Sequence, residues 1–250
     1  MAGRLVTLAV GLLVFIGVLA VSLPANWMAR YVSWATNGTV LLADAQGSVW
    51  KGDAVLGLSA NGVSRALPGR VSWSTRFSLP SSLEIALEDN DVLARPILLR
   101  VAPGETRIGG GDATVPLALA ALAGAPLNTV GPNGLLRLHW DPLTWQGGAV
   151  LGQGIVQILG LWVDINPVRP LGDYRVTWQY APEGLIWTLA TENGPLQLDA
   201  HGSGLDRARF SGRAGIAKGV PDATAQRLWP LLEALGPRQG DSVQITIGAY

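Results

Sequence analysis

The chain has 250 residues, with 18 basic and 18 acidic side chains, a formal net charge of zero and only 14% charged residues. Such a composition provides no basic field that could gather phosphate groups, so a nucleic-acid partner is excluded. The absence of cysteine excludes disulfides and thiolate zinc sites, while 32 glycines and 16 prolines are typical of many short strands joined by tight turns.

The first predicted element is a membrane anchor at residues 5–23, an uncharged apolar run long enough to cross the hydrocarbon core as a helix. Arg4 precedes this run, the stub of residues 1–4 is short, and the folded mass follows. The positive-inside rule therefore predicts a cytoplasmic N terminus and a C-terminal domain outside the cytoplasm. A secretory signal peptide, cleaved at Ala20-Val21-Ser22, is the alternative, although its apolar stretch would normally be only about 7 to 15 residues long.

An aromatic linker at the membrane surface is predicted for residues 24–38. If this linker is helical, Trp27, Tyr31 and Trp34 share one face, because they are spaced four and then three residues apart. Indole and phenol rings favour the headgroup layer, and Arg30 beside them can reach lipid phosphate. The alternative is that these rings pack on the core of the domain that follows.

The rest of the chain is predicted to be mostly β. Asn193-Gly194 lies between two of the strands and favours a hairpin turn of type I′ geometry. Pro96 has no donor for a sheet ladder, so it predicts an edge strand. Alternation and turn residues predict strands at 39–43, 53–60, 69–76, 83–87, 92–101, 134–140, 147–158, 173–180, 185–190, 196–200, 207–212 and 242–247.

Two short helices interrupt this β pattern. Residues 116–123 begin with a proline, which suits a first helical turn, and continue with good helix formers. Residues 223–235 end before Gly236, and Pro230 within them indicates a kink or a fresh start. One face of this second helix carries Leu228, Leu231, Leu232 and Leu235.

An internal echo indicates a duplicated module. Residues 50–57 and 145–152 are identical at six of eight positions, with an offset of 95. Further on, Arg-Val-x-Trp at 70–73 recurs at 175–178 with an offset of 105. The alternative is a chance echo, because glycine, alanine, valine and leucine are frequent in this chain.

The duplication predicts two β modules outside the membrane, residues 39–130 and 131–250. Trp50 with Gly52, and Trp145 with Gly147, would form matched structural corners in which the tryptophan rings are buried. The Arg-Val-x-Trp strand that carries Trp73 would follow the first corner. Together the modules would form one extended, twisted antiparallel sheet after the single transmembrane helix, with open edges available for strand addition to a partner.

No pattern indicates an enzyme. His139 and His201 are the only histidines, too few for a three-imidazole metal site. The chain lacks a Gly-x-Ser-x-Gly elbow, and its carboxylates are scattered. We therefore expect neither catalysis nor a bound cofactor or metal ion.

Several segments resemble protein N of the bacterial type II secretion system, along essentially the whole chain. They are LADAQGSVWKG at 42–52, PLGDYR at 170–175, GPLQL at 194–198 and LLEALG at 231–236. The most specific blocks contain Gly47, Trp50 and Gly52 in the first segment, and Pro170, Leu171, Gly172, Asp173 and Tyr174 in the second. Val49 departs from the threonine or leucine expected there.

The resemblance implies an inner-membrane protein with a periplasmic domain, an accessory part of the machine that exports folded proteins through an outer-membrane secretin. Its partners would be inner-membrane platform proteins, the secretin, or both, and its role would be that of a non-catalytic scaffold. The competing hypothesis is a membrane-tethered carrier of lipid or another apolar ligand. For Asp173, a carboxylate that caps nearby amides is preferred to a partner contact.

Overall fold

The computed structural model describes residues 22–60, 62–78, 81–123, 127–147, 149–204 and 209–247. The predicted stub and all but the last two residues of the predicted anchor lie outside the described residues. Among the helices described, none combines the length and the apolar composition that a membrane span requires.

Within these ranges the chain is mostly β, as predicted, with three α-helices and one 3₁₀ helix. The helices are α1 (Ala25–Ala35), the 3₁₀ helix (Leu117–Ala123), α2 (Leu127–Val130) and α3 (Asp222–Leu235). The strands are β1 (Val40–Gly47), β2 (Lys51–Ala60), β3 (Val63–Ala66), β4 (Val71–Ser78), β5 (Ser82–Glu88), β6 (Ile97–Ala102), β7 (Glu105–Ile108), β8 (Gly111–Pro116), β9 (Pro132–Trp140), β10 (Leu143–Gln146), β11 (Ala149–Val163), β12 (Gly172–Ala181), β13 (Gly184–Asn193), β14 (Leu196–Ser203), β15 (Arg209–Ile216), β16 (Arg238–Gln239) and β17 (Ser242–Ile247).

All seventeen described strands belong to one antiparallel sheet, which follows the chain up and down. In three places two successive strands share a neighbour. β3 and β4 both pair with β2, β9 and β10 both pair with β11, and β15 and β16 both pair with β17. β7 and β8 pair with β10 and β9 respectively. From β11 the sheet continues through β12, β13, β14 and β15 to β17. The predicted antiparallel sheet is therefore confirmed.

One face of the sheet carries the core, and we call it the apolar face. Alternating side chains on this face form three buried clusters, each next to a helix. Ala25 of α1 packs with Ala54 and Trp73. Leu67, Val92 and Ala113 form a second cluster, with Leu119 of the 3₁₀ helix packed against it. Leu228 and Leu232 of α3 pack on a third with Leu171, Leu196, Ala214 and Val243. The opposite face, which carries His139, Thr177 and His201, is the polar face.

Three local predictions were wrong in detail. β13 and β14 form the predicted hairpin, but Asn193 is still in β13 and its φ is not positive, so the turn is made by Gly194 (φ +121°) with Pro195. The predicted edge strand was wrong, because β6 pairs with both β5 and β7. Pro96 lies just before β6, so it removes no hydrogen-bond donor from the ladder. Pro116 ends β8, and the predicted first helix is a 3₁₀ helix that begins at Leu117.

Candidate interaction surfaces

α1 presents the predicted aromatic side chains to solvent. Its inner side is held by Ala25 and Met28, which pack in the cluster around Trp73. On its outer side Trp27, Tyr31 and Arg30 are exposed, and Trp34 is 76% exposed. The alternative in which these rings pack on the domain's own core was therefore wrong. Contact with a membrane stays a prediction.

The start of α1 is fastened to the turn between β1 and β2. The Val49 amide donates a 2.9 Å hydrogen bond to the Leu23 carbonyl oxygen, and Pro24 forms an antiparallel bridge with Ser48. The chain that follows the predicted anchor thus enters the domain at this turn. Because both contacts involve the backbone, the entry point does not depend on one flexible side chain.

The block around Gly47 is a hydrogen-bonded turn. Gly47 has a φ of +85°, a conformation that favours glycine, and the Ser48 hydroxyl accepts hydrogen bonds from the amides of Trp50 (3.3 Å) and Lys51 (3.2 Å). The Trp73 indole donates to the Ser48 carbonyl oxygen at 3.1 Å. The most specific motif of the first half therefore shapes this turn.

Trp50 and Trp145 do not form the matched buried corners that the echo predicted. Trp50 is half-buried in the turn before β2, and its ring lies 5.2 Å from that of Phe77. Trp145 lies in β10 and is 57% exposed, so its predicted burial was wrong. Gly147, after β10, has a φ of +60° and an open surrounding. The prediction from the echo was wrong because the echo compares residue types along the chain, whereas burial depends on where each strand lies in the sheet.

The Arg-Val-x-Trp strands agree better. Trp73 lies opposite Gly52, and Trp178 lies opposite Gly154, in each case on the neighbouring strand. A β-carbon added at Gly52 would lie 2.6 Å from Trp73 Cζ2, and one at Gly154 would lie 2.7 Å from Trp178 Cζ2. Both indoles therefore occupy the space that a side chain on the facing glycine would need. The duplication itself stays a prediction.

The second family block, Pro170 to Tyr174, fastens the bulge of β11. Pro170 follows a cis peptide bond, and Leu171 is buried in the core under α3. The Asp173 carboxylate accepts a 2.6 Å hydrogen bond from the Gly160 amide, at the register shift between β11 and β12. It thus caps a backbone amide, although one thirteen residues away along the chain.

Tyr174 is the largest fully buried side chain of this block. Its hydroxyl donates a 3.0 Å hydrogen bond to the Leu196 carbonyl oxygen. Burial, with a smaller contribution from the Asp173 charge, raises the pKa of the Tyr174 phenol above its ordinary value. Because Tyr174 is buried, the block contributes to packing and not to an exposed site. Gly172, the first residue of β12, has a φ of +157°.

Both histidines line an open groove of about 570 Å³ on the polar face of β9 and β11 to β14. Alternation places His139, Asp141, Gln153, Gln179, Ile186 and His201 on this face. Because this groove combines Ile155 and Ile186 with imidazole, amide and carboxylate groups, the carrier of lipid or another apolar ligand stays a hypothesis.

Beside the groove, a serine lies within hydrogen-bonding distance of His201. Ser211 Oγ lies 3.0 Å from His201 Nε2, and His139 Nδ1 lies 2.6 Å from Asp112 Oδ1. Among the described residues, no carboxylate forms an ion pair with His201, so the serine and its histidine lack the third, orienting group of a catalytic triad. The arrangement is that of two exposed cross-strand pairs.

The sequence model of a protein family, described as type II secretion system protein N, matches residues 38–246 of the chain. The matched range contains both specific blocks and begins just after α1. No curated protein and no solved structure matches the chain.

Proposed function

The chain belongs to the type II secretion system protein N family, and we propose that it is a non-catalytic scaffold of that machine, anchored in the inner membrane. Residues 5–23 form the anchor, α1 lies at the membrane surface, and residues 39–250 occupy the periplasm. Family membership implies a role in type II secretion and contact with other components of the system. The membrane placement and the scaffold role are the finer proposal.

The observation that carries the placement is the two-sided character of α1. A short helix that needed only to complete the core would expose polar residues, but α1 exposes three aromatic rings and an arginine directly after an apolar run. Interfacial helices have this composition, because aromatic rings suit the headgroup layer and arginine pairs with lipid phosphate.

The scaffold role is supported by the two ends of the sheet. Among the described strands, β1 pairs only with β2, and β17 pairs with the two-residue strand β16 over only Val243 and Ser242 beyond its pairing with β15. Each end therefore presents backbone donors and acceptors to a partner strand. A register shift after Ala43 restricts the usable part of β1.

Photocrosslinking in intact envelopes tests the scaffold role. A photoreactive residue at Gln46 on β1 or at Gln239 on β16 should capture a type II secretion subunit, because both side chains are exposed at the ends of the sheet. Ile186, exposed in the middle of the polar face, is the matched control. Capture of no secretion subunit from either end, in cells that still secrete, would contradict the scaffold proposal.

The placement has a separate test. A reporter that is active only outside the cytoplasm, fused after Tyr250, should be active, and the chain should resist alkaline extraction from membranes. A mature N terminus at Leu23 would replace the anchor by a cleaved signal peptide and leave α1 as the first element of a released domain.

A further inference from the structure

At the end of the sheet where α1 begins, one row of six residues on the apolar face is exposed at three of its positions. Each residue of the row lies directly opposite the next on a neighbouring strand, so all six side chains share this face. The row, which we call the end row, consists of Phe77, Leu83, Val101, Thr106, Trp145 and Val150.

The residues of the end row lie on the same face of the sheet as the buried core residues. In β4, Trp73 and Thr75 are buried on the same face as Phe77, yet Phe77 is 76% exposed. At the other side of the row Trp145 is 57% exposed. Between β4 and β10 the row crosses four strand spacings, or about 19 Å at about 4.8 Å each. Val101 is also exposed, while Leu83, Thr106 and Val150 are half-buried. Two aromatic rings and a valine exposed in one row on a folded domain are typical of an interaction surface.

The end row begins where the anchor joins the domain. Phe77 contacts Trp50, whose neighbour Val49 is hydrogen-bonded to Leu23, the last residue of the apolar run 5–23. The row is therefore continuous with the point at which the chain would leave a bilayer. α1 packs on the same face of the sheet through Ala25, so its exposed rings point to the same side.

Charge also distinguishes this end of the sheet. Among the described segments that join strands here, residues 48–50 and 103–104 contain no charged residue. On the polar face beside the row, two carboxylates are neutralised, Glu84 by Arg100 and Glu105 by Arg107, while Lys51 and Arg76 are exposed. The segments at the opposite end carry charges of both signs, with Asp89, Asp91 and Arg95 after β5 and Arg70 just before β4.

We infer that the end row docks on the surface of an anionic phospholipid bilayer, beside the anchor. The tryptophan and phenylalanine rings of the row enter the headgroup layer, while Lys51 and Arg76, on the polar face at the same end of the sheet, attract lipid phosphate, and the charged end of the sheet points away. This inference rests on the proposed anchoring of residues 5–23. It adds an orientation, because contact along about 19 Å of sheet fixes how the domain stands on the membrane.

The cysteine-free sequence makes a site-specific test direct. Full-length Phe77→Cys and Trp145→Cys chains, each labelled with the fluorophore NBD, are reconstituted into phosphatidylethanolamine and phosphatidylglycerol vesicles. Ile186→Cys is the matched control, because Ile186 is also exposed and apolar but lies on the polar face. At 77 and 145, emission should shift to the blue and be quenched by headgroup-labelled nitroxide lipid more than by iodide. At 186, iodide should quench the emission more than headgroup-labelled nitroxide lipid does.

The outcomes separate the inference from the anchor. If the chain resists alkaline extraction but the probes at 77 and 145 behave like the probe at 186, docking is wrong and the anchor stands. Probes shielded from iodide but not quenched by lipid would indicate a protein partner or a second copy, and would also overturn docking. If the chain is extracted while both probes still respond to lipid, docking stands and the anchor fails. Extraction together with solvent-exposed probes overturns both.

Discussion

Tyr174 joins β12 to the strand after the Gly194 turn through one buried hydrogen bond to the Leu196 carbonyl oxygen. Tyr174→Phe removes the donor and leaves this buried acceptor without its partner, at an expected cost of about 1 to 3 kcal/mol in the free energy of unfolding. Urea unfolding of the detergent-purified protein measures this loss. Tyr31→Phe, at an exposed ring of α1, should change stability by less than about 0.5 kcal/mol.

The same hydroxyl predicts a pH dependence. Burial raises the pKa of folded Tyr174 above the ordinary value of 10.0, whereas the unfolded chain titrates near that value. The contribution of the neutral phenol is therefore complete below pH 10.0 and is lost as the pH rises through the folded pKa. The stability advantage of the wild type over Tyr174→Phe should shrink in alkaline solution. An advantage that grows with pH would contradict this assignment.

Gly52 and Gly57 provide a matched pair of glycines in β2. A β-carbon at Gly52 would lie 2.6 Å from Trp73 Cζ2, but one at Gly57 would come no closer than 3.6 Å to Leu41. Gly52→Ala should therefore destabilise the fold by about 1 to 3 kcal/mol through overpacking. Gly57→Ala should change stability by about 0.5 kcal/mol or less. A β-carbon at Gly52 would also clash with the Gln46 carbonyl oxygen. Thermal unfolding of the two variants compares them, and equal losses would show that the Trp73 ring and the backbone at Gln46 both move aside easily.

At the residue scale, the sequence was informative about turns and less so about exposure. Gly47 and Gly147 both adopt positive φ, which glycine at a turn allows. The burial of Trp145 could not be obtained from its similarity to Trp50, because it depends on the strands that lie beside β10. The end row likewise appears only once the register joins residues that are up to 73 positions apart along the chain (150 − 77 = 73).

At the scale of elements, α3 gives a comparison within one helix. Leu232 is fully buried against the sheet, while Leu235, three residues later, is 40% exposed. Leu232→Ala should cost about 2 to 5 kcal/mol, since it leaves a cavity in the third cluster. Leu235→Ala should cost less than about 1 kcal/mol. Chemical denaturation measures both, and similar costs would mean that α3 does not pack as described.

Long, alternating elements were predictable, and short or interrupted ones were not. The helix predicted at 223–235 is confirmed as α3, which continues through Pro230 without interruption. β3, β7, β8, β10 and β16 were missed. Gly109 and Gly110 separate β7 from β8, and Pro142 separates β9 from β10, so each piece is too short to show alternation. Their pairing is supplied by neighbouring strands, a tertiary effect that local pattern does not contain.

At the scale of the molecule, the single antiparallel sheet followed from composition and turn spacing. The boundary predicted at residue 130 does not separate two sheets, because β7 and β8 before it pair with β10 and β9 after it. The composition of the exposed surfaces depends on which segments lie at each end of the strands. The charged segments before β4 and after β5 and the uncharged segment around Trp50 lie at opposite ends of the strands, so the two ends of the sheet differ in charge.

The role of the anchor can be separated from the role of the domain. If residues 5–23 act only as a tether, replacing them with an unrelated single-pass helix of the same orientation should restore secretion, because tethering sets the effective concentration near membrane partners. Deleting residues 1–34 should reduce secretion while the β domain stays folded. Both are measured as the amount of exported substrate in the culture medium.

A defect that persists in the swapped chain, with the domain folded and correctly placed, would mean that the native helix packs against another membrane subunit. Gly11 and Gly17 are then the positions to substitute, because small residues permit close helix approach. Their spacing of six residues differs from the four-residue GxxxG pattern, so a generic tether is the expected result. Secretion by a Gly11→Leu, Gly17→Leu chain should therefore equal that of the wild type, and a loss at unchanged protein level would identify a specific helix contact.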